Sequence, residues 1–171
     1  MTSAKFPLLE SDGPNAWIAR VGIELATGPA DRTHMFGGAG LALSVMALEQ
    51  LSGRAALWTS VQFVAALPVP ATLGFQGRML GGGKAIAHAE MRATSGADLI
   101  LAALGSFGSE PGTIQQWVDM PDAPPPLACE EITAHHHADR DIHASLEIRH
   151  IRGRFGIFSR ASAQPGGRVQ V

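Results

Sequence analysis

Cysteine is nearly absent. The 171-residue chain holds a single one, Cys129, which excludes an internal disulfide framework and fits a reducing, cytoplasmic setting. Charge is scarce too. Asp, Glu, Lys and Arg make up 16% of residues where about 25% is ordinary, and the shortage predicts surface buried in an oligomer. Neither sign dominates, and a net charge of −2 gives nucleic acid no electrostatic reason to bind. The start, Met1-Thr2-Ser3-Ala4-Lys5-Phe6, has no apolar core of signal-peptide length, so export is not expected. No apolar run reaches the ~20 residues of a membrane helix, so no membrane partner is expected. The length suits one domain, or one plus part of a second. Such a chain buries roughly 68–70% of its unfolded surface and needs no covalent staples.

What is present is one unusually apolar stretch, from His34-Met35-Phe36-Gly37-Gly38 to Leu51. From Phe36 onward only Ser44, Glu49 and Gln50 interrupt it. So little polar face predicts a helix buried on nearly every side. Ser52-Gly53 supplies its stop, with glycine as the residue that takes positive φ. No comparable helical pattern follows.

Strand-like runs surround it. Trp17, Ala19, Val21, Ile23 and Leu25 alternate with Ile18, Arg20, Gly22 and Glu24, which predicts a half-buried strand. Thr27-Gly28-Pro29-Ala30-Asp31 is turn chemistry leading to His34. Leu57 to Val64 alternates next, and Pro68 and Pro70 end that run because proline has no N–H for a ladder. Ala71 to Leu80 repeats the pattern, with Leu73, Phe75 and Met79 opposed by Thr72, Gln76 and Arg78. Gly81-Gly82-Gly83 reverses the chain. From Lys84 to Ala93 one face is Ala85, Ala87, Ala89, Met91 and Ala93, small enough to lie close against the helix. Ser95-Gly96-Ala97-Asp98 reads as a hairpin turn. Leu99 to Phe107 is apolar on both faces and so predicted buried or central. The order predicts an α+β fold, an antiparallel sheet with its helix on one face.

Residues 111–128 read as a stiff proline-rich linker. Beyond it Ile142, Ala144, Leu146 and Ile148 alternate with polar residues. Residues 129–171 thus look like the opening of a second, incomplete copy of the first unit.

In their order and spacing, several of these motifs resemble the type II acyl-CoA thioesterases, double-hotdog proteins of the thioesterase-like superfamily. The residues are His34-Met35-Phe36-Gly37-Gly38, then Ser60-Val61-Gln62-Phe63 followed by Pro68, Lys84 after its glycine turn, and Ser106-Phe107-Gly108. The resemblance covers residues 14–110. It implies a hotdog fold, a curved antiparallel sheet around a long helix, with two hotdog units side by side; the sheet edge and apolar helix surface that one unit would leave exposed predict a homo-oligomer through hotdog pairing. It also implies acyl-CoA as substrate, no cofactor, and a thioester placed near the helix N-terminus. The first amides of a helix lack intrahelical acceptors and the dipole favours negative charge there. Gly37 and Gly38 leave those amides open to a thioester carbonyl, whose oxyanion they would stabilise.

The chain also departs from that family. The helix carries no acid at Leu43-Ser44-Val45-Met46, where single-unit relatives commonly place a carboxylate, and Glu49 lies farther along. The Asp, Thr/Ser and Gln that activate water in type II enzymes belong largely to the second unit. His34 is the candidate for a catalytic role beside Gly37 and Gly38. Phe36, Gln62, Arg78 and Lys84 are the candidates for contacting substrate, the two cations through CoA phosphates. Gln62 and Thr59 point to opposite faces of one strand, and Thr59 is expected to satisfy its hydroxyl within the core.

His135-His136-His137, with His143 and His150, lacks the convergent spacing of a metal site, and no metal is expected. Cys129 is expected to be inert. Fatty acyl-CoA hydrolysis is the leading reading. A non-catalytic acyl-CoA or acyl-carrier binding module is the alternative, and a hotdog hydratase or dehydratase ranks third for want of a carboxylate partner to His34.

Overall fold

Alternating apolar residues build a six-stranded, fully antiparallel sheet whose strands lie in the order Glu10–Gly13, Ala16–Val21, Ala71–Gly82, Ile86–Ser95, Asp98–Gly108 and Ala56–Phe63. In this computed structural model the described residues are 9–29, 31–109, 123–131, 142 and 149–151. The chain divides into two units, residues 1–116 with 135–146, and residues 117–134 with 147–171.

In the first unit, β1 (Glu10–Gly13) and β2 (Ala16–Val21) form a hairpin. Trp17, Ala19 and Val21 of β2 are buried, as their alternation requires. The strand stops at Val21 rather than reaching Leu25. Val21 faces Ala71, the first residue of β6 (Ala71–Gly82), so the ladder has no partner left to offer. The chain turns instead through a 3-10 segment at Ile23–Leu25.

A short hairpin that periodicity did not announce follows, β3 (Ala26–Thr27) against β4 (His34–Met35). Its turn holds Gly28 at φ +103°. Main-chain bonds from Phe36 N to Leu25 O and from Met35 N to Leu67 O, both 2.8 Å, then fix where the helix begins.

Helix α1 (Gly37–Ser52) ends at Gly53, whose φ of +64° is the left-handed cap expected of it. Its buried residues are Ala39, Gly40, Leu43, Ser44, Ala47 and Leu48. That is one face, not the near-complete burial its composition predicts. Leu41 is 40% exposed, and Ala42, Val45 and Met46 are half-buried. One sheet covers one side of a helix, so the remaining apolar side stays uncovered in a single copy.

The sheet beneath is built as read. β7 (Ile86–Ser95) buries Ala87, Ala89, Met91 and Ala93, and this small-residue face lets α1 approach. Gly96 and Ala97 form the tight turn into β8 (Asp98–Gly108). β8 is an interior strand, second from the sheet edge, between β7 and the edge strand β5 (Ala56–Phe63). Leu101, Ala103 and Phe107 are buried on its helix side, while Leu104 on the outer side is 44% exposed. Both faces of β8 are apolar, but beyond Ile100 and Leu101, which are both buried, only the helix side is. Ile142 is partly buried against this same core. Ile142, expected in a strand with Ala144, Leu146 and Ile148, is in 3-10 conformation instead, and the other three lie outside the described residues.

The second unit has a 3-10 turn at Pro126–Ala128 and a two-stranded pair, β9 (Glu130–Glu131) with β10 (Arg149–His150). Cys129 is buried, its Sγ 3.6 Å from the Pro125 carbonyl, and Arg149 Nη1 donates to the Cys129 carbonyl at 2.9 Å. The linker up to residue 122, the His135-His136-His137 run and His143 fall outside the described residues.

Candidate functional site

The site begins with the main chain at the start of α1. Phe36 is the N-cap residue, extended at φ −64° and ψ 132°, with no side-chain cap. Its carbonyl accepts from both Ala39 N (3.0 Å) and Gly40 N (3.2 Å). The amides of Gly37 and Gly38 are left without a main-chain acceptor among the described residues. No acidic side chain stands in the first turn, so the positive end of the helix dipole is not compensated within the helix. Two free donors at a positive helix end suit a carbonyl or oxyanion.

Aromatic rings flank this end. A side chain added at Gly38 would run into the Phe36 ring, and one at Gly37 would touch Phe63 Cζ at 3.5 Å. Phe36 is therefore a local reason for glycine at position 38, alongside the access to amides argued from sequence. Phe63 also sits 3.5 Å from where a Gly40 side chain would start, yet is 56% exposed.

His34 stands two residues before Phe36, half-buried in β4. Its Nδ1 lies 3.2 Å from the Arg32 carbonyl. A carbonyl only accepts, so in the neutral ring this bond places the proton on Nδ1 and leaves Nε2 as the basic nitrogen.

The structure places Phe36, Gly37 and Gly38 at the start of α1 and sets the His34 ring against Gly28 and the Arg32 carbonyl. It does not bring the other three candidates to them. Gln62 is exposed on the sheet face turned away from α1, opposite Ala102 of β8. Arg78 lies on that same outer face, bonded to Glu90 Oε1 through Nε (3.0 Å) and Nη2 (2.6 Å). Lys84 is exposed in the turn between β6 and β7. Glu49 is also accounted for, because its Oε1 accepts from Ala56 N at 2.8 Å at the far end of α1.

Two features escaped sequence reasoning. The Thr59 hydroxyl, expected to be satisfied, is covered yet has no hydrogen-bond partner among the described residues. His88 Nδ1 and Ser106 Oγ lie 3.0 Å apart across β7 and β8 on the outer face. Their pairing depends on strand register, which residue types alone do not disclose. Among the described residues no group of His, Cys, Asp and Glu converges as a metal site.

The chain matches a protein of Novosphingobium aromaticivorans DSM 12444, provisionally named a thioesterase, at 30% identity and TM-score 0.71, over 76% of this chain and 52% of that one. It matches a provisional thioesterase II of Thermobifida fusca YX at 16% identity and TM-score 0.72, over 83% and 53%. A conserved protein of Alicyclobacillus acidocaldarius with the hot dog fold matches at 20% identity and TM-score 0.66, over 75% and 48%.

The chain has the hotdog fold. Two of these three neighbours are provisionally named thioesterases. This hotdog chain spans about half the length of those three proteins. No family model and no curated protein matches it. Among the described residues, no helix of the hotdog chain is long and apolar enough to cross a membrane.

Proposed function

We propose that the chain binds fatty acyl-CoA and hydrolyses its thioester. The single observation that carries this reading is the pair of Gly37 and Gly38 amides, unclaimed by the main chain at the positive end of α1. The thioester carbonyl accepts from these amides. His34 Nε2 takes a proton from the attacking water, and the negative oxygen of the tetrahedral intermediate stays on the two donors. Collapse of the intermediate breaks the C–S bond, the proton held by His34 passes to the departing sulfur so that CoA leaves as its thiol, and Lys84 is the candidate for meeting a phosphate of the nucleotide.

The working form in this reading is a homo-oligomer. β5 is an edge strand, and its Trp58 and Phe63 are 55% and 56% exposed. A second copy pairing along that edge would satisfy its open main-chain groups.

Release of free thiol from a panel of acyl-CoAs tests the proposal. The expected result is release above background by the purified chain, falling at least ~100-fold in His34→Gln. A second reading, a binding module without turnover, is favoured by one observation: the only acid on α1, Glu49, is engaged with Ala56 N. Tight acyl-CoA binding with no thiol release would establish it and sink hydrolysis.

A further inference from the structure

A groove of about 500 Å³ is lined by residues 64–68, Ala71, Leu99 and Ile100, with Ser95 and Asp98. Its size lies within the range of small-ligand sites. Its main chain makes few demands on a ligand. Val64 N and Ala65 N both donate to Ile100 O (2.9 and 3.2 Å), and Leu67 O accepts from Met35 N. Asp98 is the only ionisable residue lining it, and it forms no ion pair among the described residues. The Met35–Leu67 bond and the bridge between His34 and Pro68 tie this groove to the residues just before Gly37.

Resting on the thioester reading above, we infer that this groove takes the acyl tail, and that the tail it prefers is uncharged. Hydrocarbon replaces water over the aliphatic side chains of the lining, which tightens binding about two- to fourfold per added methylene until the groove is full. A tail ending in a carboxylate meets Asp98 and is disfavoured by like-charge repulsion.

Photolabelling tests this without requiring turnover. The probe is an acyl-CoA whose six-carbon tail ends in a diazirine, applied to the whole 171-residue chain. Label is expected on peptides holding residues 64–71 or 98–100. Ala66→Trp, a substitution at an exposed position, is expected to cut that label at least about tenfold with the melting temperature unchanged. Hexanoyl-CoA should displace the probe and glutaryl-CoA should compete poorly, a gap that narrows about threefold in Asp98→Asn. Label confined elsewhere, no label, or label indifferent to Ala66→Trp overturns the groove assignment. Equal competition by glutaryl-CoA overturns the charge preference. Thiol release, measured separately, judges hydrolysis: turnover without groove label removes this inference alone, and groove label without turnover removes hydrolysis alone.

Discussion

The Phe36 ring occupies the space in which a side chain at Gly38 would begin. The two residues that bound the proposed oxyanion site are thus matched to one another. Ala in place of Gly38 gains about 1 kcal/mol of helix propensity but loses about 1–3 kcal/mol to overpacking against the ring. We expect Gly38→Ala to destabilise the wild-type background by up to ~2 kcal/mol and to be neutral or stabilising when combined with Phe36→Ala. Urea unfolding of the four proteins of this cycle measures it. Additive effects would show that the ring does not constrain position 38.

Glu49 ties the end of α1 to the start of β5. Removing its carboxylate in Glu49→Ala leaves the Ala56 N–H without that acceptor, at about 1–2 kcal/mol. Thermal unfolding should report the loss. Thiol release per folded molecule should not change, and a collapse of turnover at full folding would instead make Glu49 the catalytic base.

Ala89 is wholly buried on the helix side of β7. The alanine face sets the distance between helix and sheet, so Ala89→Leu forces the two apart or strains both, at about 1–3 kcal/mol. His88→Ala, one position along and exposed on the other face, is expected to cost under ~1 kcal/mol. Equal losses by chemical denaturation would contradict the assignment of faces.

Phe63 lies against the helix start and is open to solvent. If β5 pairs with a second copy, Phe63→Lys places a charge near that junction and shifts the chain toward monomer. Sedimentation at micromolar concentration is expected to show a dimer for wild type and mostly monomer for Phe63→Lys. A monomeric wild type would contradict the pairing.

Much of this hotdog unit was legible in the sequence, because period-two alternation and turn chemistry are local properties. Leu73 and Phe75, Ala87 through Ala93, and the cap at Gly53 all behave as their patterns require. The likeness to hotdog thioesterases was readable in the order of short motifs from His34 to Gly108. Tertiary structure decided what depends on partners distant in the chain. Val21 ends its strand because β6 begins opposite it. α1, apolar nearly all round, buries one face because a single sheet covers one side. Gln62 and Arg78 share a face with each other and not with the helix start, since strand register, not residue type, assigns faces. Glu49 is engaged by the Ala56 amide for the same reason: a hydrogen bond between residues on different elements exists only once the packing brings them within reach.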